Sequence, residues 1–144
     1  MNFELILVPF AVALGVYSSM RDIENGIIPR KPMYLAVVVG IAVNTLASVQ
    51  FGLYAAVCSA VAFVGGYVLY KTKGWGGGDV RLWAAYAALM PGYFIETFLL
   101  GCVFAMPFLL RRKTAPFAPF MLAGFVAAYV LRLDIISVFL GLWP

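Results

Sequence analysis

The chain has no histidine, two cysteines and only six acidic residues among 144. Without histidine, Ser-His and Cys-His catalysis are excluded, as is every imidazole metal site. Cys58 and Cys102 stand singly in apolar stretches, AAVCSAV and LLGCVFA. No CxxC pair exists, so zinc and thiol-redox motifs are excluded and both cysteines read as packing residues. Charge is scarce too: 11% of residues carry one, against about 25% in ordinary soluble domains.

Apolar residues take up the difference, at 65% of the chain with a mean hydropathy of +1.00. That composition excludes a soluble globular enzyme, a disordered chain and a nucleic-acid module. It leaves an all-α, polytopic membrane protein. A net charge of +4 therefore bears on membrane topology and not on nucleic acid, because in such proteins the position of the positives matters more than their sum.

A spanning helix needs about 20 mostly apolar residues. Apolar runs cover residues 3–20, 33–50, 52–70, 80–90 and 93–110, and a sixth follows APFAP to about Leu133. An apolar tail occupies 135–143. About six transmembrane helices are expected, in a single integral-membrane domain over 1–144. The first run lacks a basic n-region and a small-residue cleavage site, so it reads as a retained helix and not a signal peptide. Turns are expected at Gln50-Phe51-Gly52 and Pro91-Gly92, and a kink at Pro107.

The basic residues orient this plan. Arg21, Arg30 and Lys31 follow the first run; Lys71, Lys73 and Arg81 bracket the loop KTKGWGGGDVR; Arg111, Arg112 and Lys113 follow the fifth. In an alternating arrangement nine of the ten fall on one side, Arg132 excepted. The positive-inside rule makes that side cytoplasmic, with the N-terminus outside. Gly65, Gly66 and Gly101 read as close helix contacts. Trp75 and Trp83 read as an interfacial belt, and Trp75 is also a candidate substrate contact.

Three acids, Glu4, Glu96 and Asp134, fall toward the other side. Asp22, Glu24 and Asp79 fall on the cytoplasmic one. Ionisable groups at membrane depth are costly and are functional candidates by default. Each has an ordinary reading as well: Asp79 as a helix N-cap, Asp22 as an ion-pair partner of Arg21 or Arg30, Glu24 as a solvated charge. Two carboxylates converging on one face share a proton, because like charges raise one pKa and leave an acid beside a base. Such a pair activates water against a peptide carbonyl. Glycines 76–78 next to Asp79 admit an extended backbone where a Cβ obstructs it. Ser18 and Ser19 have no lysine placed beside them, which disfavours a Ser/Lys peptidase.

These residues resemble the type IV prepilin peptidases. RDIENGIIPRKPM, with Asp22 ahead of Ile28-Pro29, resembles that family's D…IPN segment. Gly76-Gly77-Gly78-Asp79 matches its GxGD motif, which presenilin-type proteases share more distantly, and GGGDVRLWAA is similar to its GGGD-V-K-L-x-A-A run. Pro116-Phe117-Ala118-Pro119-Phe120 is similar to a PFGPF-like stretch opening a late helix. The resemblance implies Asp22 and Asp79 as a catalytic dyad, Gly76, Gly77 and Gly78 as the active-site loop, and structural roles for Ile28, Pro29, Pro116, Phe117 and Pro119. It implies a prepilin or prepilin-like substrate, cut at the cytoplasmic face between a short basic leader and a hydrophobic helix that stays in the bilayer of the cytoplasmic membrane. It implies no cofactor, no metal and no nucleic acid.

There are two departures. Arg30 replaces the family's Asn. The insert with paired CxxC motifs that marks the methylating members is missing, so cleavage without N-methylation is expected. In its shortness the chain is similar both to the members found in tight-adherence (Flp) pilus systems and to archaeal preflagellin peptidases, and the Flp-pilus type fits the small size better. A rival expectation is a small transporter or assembly subunit using Asp22 and Asp79 for proton relay or helix pairing.

Overall fold

The computed structural model describes residues 3–73, 75–111 and 115–133. Asp134, the apolar tail, Arg112 and Lys113 lie outside them. The described residues form helices and their connections. Helix α1, Glu4–Asn25, runs on through the charged residues after Met20 and stops at Gly26. Charge does not end a helix; a left-handed residue does. Gly26 has φ 63° and its N–H bonds the Asp22 carbonyl at 2.9 Å. Asp22 therefore sits in the last helical turn and not in a loop, as the run boundary at Met20 implied.

The chain then crosses as an extended segment to α2, Arg30–Ala47, with Pro29 (φ −61°, ψ 138°) at its N-cap. Helix α3, Val49–Lys71, follows after a single residue. Ser48 makes that turn, its Oγ accepting the Phe51 N–H at 3.1 Å. The turn expected at Gln50-Phe51-Gly52 is thus displaced. Gly52 lies within α3 against Thr45, where no Cβ fits.

Helix α4, Gly77–Leu89, is the central element: every residue from Leu82 to Leu89 is buried. Its alanines let neighbours approach closely. A Cβ on Gly40 of α2 would meet the Ala88 backbone at 2.7 Å, and one on Gly66 of α3 would meet Val80 at 3.0 Å. A short 3-10 turn, Pro91–Tyr93, leads into α5, Phe94–Leu109, which contains Pro107. Helix α6, Ala118–Val130, packs against α5 through small residues, since a Cβ on Gly124 would lie 2.7 Å from the Gly101 nitrogen.

The helices alternate in direction. One cavity joins the C-terminal end of α1 and Tyr70 of α3 to the N-terminal ends of α2 and α4. A larger one, of about 480 Å³, joins the opposite ends, from Phe3 and Glu4 to Asn44, Leu89 and Arg132. Phe108 at the end of α5 meets Phe120 at the start of α6, ring centroids 4.9 Å apart. Arg132 is thereby at the end opposite Arg30, Lys71, Arg81 and Arg111, as the charge distribution implied.

Large apolar side chains cover the outside: Leu46 is 78% exposed and Leu110 83%. The interior is small-residue and aromatic, with Tyr86 and Phe125 fully buried. Such an exterior suits lipid. Three stretches are long and apolar enough to cross a membrane: Glu4–Asn25, Val49–Lys71 and Pro91–Leu109. Each of the six apolar runs holds one of the described helices, but α4 and α6 have only 13 residues each. At 1.5 Å per residue they extend about 20 Å, less than the hydrocarbon thickness of about 30 Å.

Candidate active site

At the basic end of the bundle lies a cavity of about 360 Å³ whose lining includes both Asp22 and Asp79. The last turn of α1 presents Asp22, and the first turn of α4 presents Asp79. Gly76, Gly77 and Gly78 form one wall, and Ile27, Ile28 and Pro29 another. Arg30, Tyr70 and Arg81 complete the charged and polar lining. The sequence reading placed the two aspartates together but did not single out Tyr70 or Arg81. Arg81 was visible only as a basic residue beside the glycine loop.

The walls are packed against each other. Ile28 is buried, and a Cβ on Gly78 would lie 2.9 Å from the Ile28 Cβ. Gly76 is the N-cap of α4, and its N–H donates to Asp79 Oδ2 at 3.3 Å. Asp79 thus resembles the ordinary first-turn acid in part, although Gly76 takes the cap position itself. Its other oxygen, Oδ1, is enclosed and has no hydrogen-bond partner among the described residues.

Asp79 precedes the apolar run of α4. Burial, then the negative charge on Asp22, push its carboxyl up from the ordinary 3.8 to about 7, against the opposing pull of the Gly76 N–H. Asp22 Oδ2 accepts the Ala118 N–H at 3.1 Å, across 96 residues of sequence. Among the described residues that amide, and not Arg21 or Arg30, is its bonded partner.

The third sequence segment also arrives here. Phe117 is buried and packs on Trp75 at 5.1 Å between centroids; Trp75 in turn meets Phe98 at 5.0 Å and Trp83 at 5.7 Å. Trp83 does not sit in an interfacial belt. It is only 8% exposed, and its Nε1–H donates to the Phe94 carbonyl at 2.7 Å. A buried indole needs such an acceptor, and the first residue of α5 supplies one. Pro116 is exposed and Pro119 lies in the first turn of α6.

Ser18 and Ser19 are buried and donate to the Leu14 and Gly15 carbonyls at 2.7 Å each, so neither hydroxyl is poised as a nucleophile. Among the described residues no three metal-ligating side chains come together.

The model of the type IV leader peptidase family matches residues 9–110. The chain belongs to this family. The match includes Asp22, Ile28-Pro29 and Gly76–Asp79, and it stops short of the Pro116–Phe120 segment. Among curated relatives of the leader peptidases, the prepilin peptidase EppA of Methanothermobacter thermautotrophicus is 32% identical over 96 residues. That match takes in 63% of this chain and 25% of the relative, so the chain spans about a quarter of that protein's length. No solved structure matches.

Proposed function

We propose that the chain is a membrane-embedded aspartyl endopeptidase that removes the short basic leader from prepilins or prepilin-like proteins. The observation that carries this reading is the shared cavity of Asp22 and Asp79, with the Asp79 carboxyl raised to about 7 by burial and by the Asp22 charge. Near neutral pH such a pair holds one proton between two carboxylates. Asp79 is the member that keeps it and polarises the scissile carbonyl. Asp22 takes a proton from the attacking water. The tetrahedral intermediate then collapses as Asp22 passes that proton to the leaving nitrogen and the C–N bond breaks, releasing leader and shortened substrate.

The glycine wall gives the substrate backbone access to these carboxylates. The helix bundle is embedded in the cytoplasmic membrane with Asp22 and Asp79 at its cytoplasmic edge, outside the spanning segments, the cavity opening on that side and the N-terminus lying outside, in accord with the basic residues at the cavity end. The proposed activity is cleavage without N-methylation and without a cofactor.

Co-expression with a prepilin tests the reading. Wild type is expected to yield the shortened pilin, while Asp22→Asn and Asp79→Asn leave it full-length. Normal processing by either variant would contradict the dyad and favour proton relay or helix pairing instead.

A further inference from the structure

Helix α6 begins with an amide that its own helix cannot satisfy. The N–H groups of a first turn have no intrahelical acceptor, and Ala118 is the first residue of α6. Its N–H reaches out of the helix to Asp22 Oδ2 at 3.1 Å. The donor is held firmly in place: Ala118 is fully buried, and its neighbour Phe117 is wedged against Trp75. Trp75 belongs to the loop that carries Asp79. A single turn therefore contacts both halves of the site, one through a backbone hydrogen bond and the other through an aromatic contact.

The two carboxylates are also held alike. Asp79 Oδ2 takes the Gly76 N–H and Asp22 Oδ2 takes the Ala118 N–H, so in each case a backbone amide ties one oxygen. Arg30, Arg81 and Tyr70 line the cavity without replacing either amide.

We infer that the Phe117–Ala118 turn is a positioning element of the reaction, in which the Ala118 N–H fixes the orientation of the Asp22 carboxylate. The inference rests on the proposed role of Asp22, and it assigns a task to a segment outside the family match. Ala118 does not touch the substrate; it acts through Asp22. Only the N–H matters, not the methyl group.

That distinction makes the proposal testable. Proline lacks the N–H and is tolerated at the first position of a helix, although it disfavours the αR backbone of Phe117 before it (φ −88°, ψ −25°), so the variant is compared only as folded protein. In purified protein reconstituted with a prepilin substrate, Ala118→Pro is expected to lower kcat about tenfold to hundredfold, the range for losing a hydrogen bond to a charged group. KM is expected to stay unchanged. Ala118→Gly, which keeps the N–H, is expected to retain the wild-type kcat. A folded Ala118→Pro protein with wild-type kcat would overturn the inference, as would a Gly variant as slow as the Pro variant.

Amide exchange on alanine-labelled protein gives a second reading that needs neither activity nor the proline variant. The Ala118 N–H is expected to exchange at least about tenfold faster in Asp22→Ala than in wild type. An unchanged rate would overturn the inference. If the peptidase reading itself fails, wild type leaves the prepilin uncut while the exchange comparison still reports the contact.

Discussion

Gly78 and Ile28 touch so closely that a Cβ on Gly78 would fall 2.9 Å from the Ile28 Cβ. One residue belongs to the glycine loop, the other to the Ile-Pro segment, and their contact closes the cavity between the two aspartates. Glycine is needed here for space and not for backbone freedom. Ile28 is buried and β-branched, so it yields poorly.

This contact separates three adjacent glycines. Gly78→Ala is expected to push the two walls apart and to reduce cleavage at least about tenfold, with a stability loss of roughly 1–3 kcal/mol. Gly77→Ala is expected to be near neutral, since its Cβ would meet only Arg81 and Tyr70 at 3.6 and 3.8 Å. Gly76→Ala falls between them, its Cβ pressing on Asp79 Oδ2 at 3.0 Å. Cleavage assays with thermal melts on the three variants check the order.

The raised carboxyl of Asp79 sets a pH dependence. Its folded value, about 7, lies above the ordinary 3.8, so the folded state binds this proton more tightly than the unfolded one. The stabilisation is complete below the ordinary value and is lost as pH rises toward and through about 7, at up to about 1.4 kcal/mol per pH unit. Asp79→Asn carries no such proton. Its melting temperature is expected to exceed that of wild type at pH 8 and to lose this part of the pH dependence, while cleavage is abolished. Parallel melting curves from pH 4 to about 8 for both proteins check the sign.

Trp83 is expected to behave as a core residue. Trp83→Phe removes the indole donor and its hydrogen bond to the Phe94 carbonyl, at a cost of about 0.5–1.5 kcal/mol. Denaturation in detergent checks it. Were Trp83 an interfacial anchor, the same change would leave stability nearly untouched.

Much of this was legible in the sequence. The apolar runs located the helices because a lipid-facing helix is apolar on most sides, so its limits show as breaks in hydropathy. The limits failed where a polar residue was read as a stop: α1 continues past Arg21 to Gly26, and Ser48, not Gln50-Phe51-Gly52, turns the α2–α3 hairpin. The two aspartates were findable because acids are rare here. The Ala118 amide was not, since a backbone donor leaves no mark on residue type. Trp83 was misread for a related reason. Its position in the run fits either a membrane interface or a core, and only the acceptor at Phe94 decides.

Membrane orientation has its own test. With Cys58 and Cys102 replaced by alanine, Arg132→Cys is expected to react with an impermeant maleimide on intact cells. Lys73→Cys is expected to react only after permeabilisation. The opposite pattern would reverse the orientation drawn from the basic residues.

The central claim is that Asp22 and Asp79 act as one unit on a peptide bond. The most direct measurement is the cleavage rate of a purified prepilin by wild type, Asp22→Asn, Asp79→Asn and the double variant. A unit lost by removing either member predicts that each single variant falls as far as the double, by at least about a thousandfold. A single variant that keeps a rate near wild type, or losses that simply add, would contradict the account.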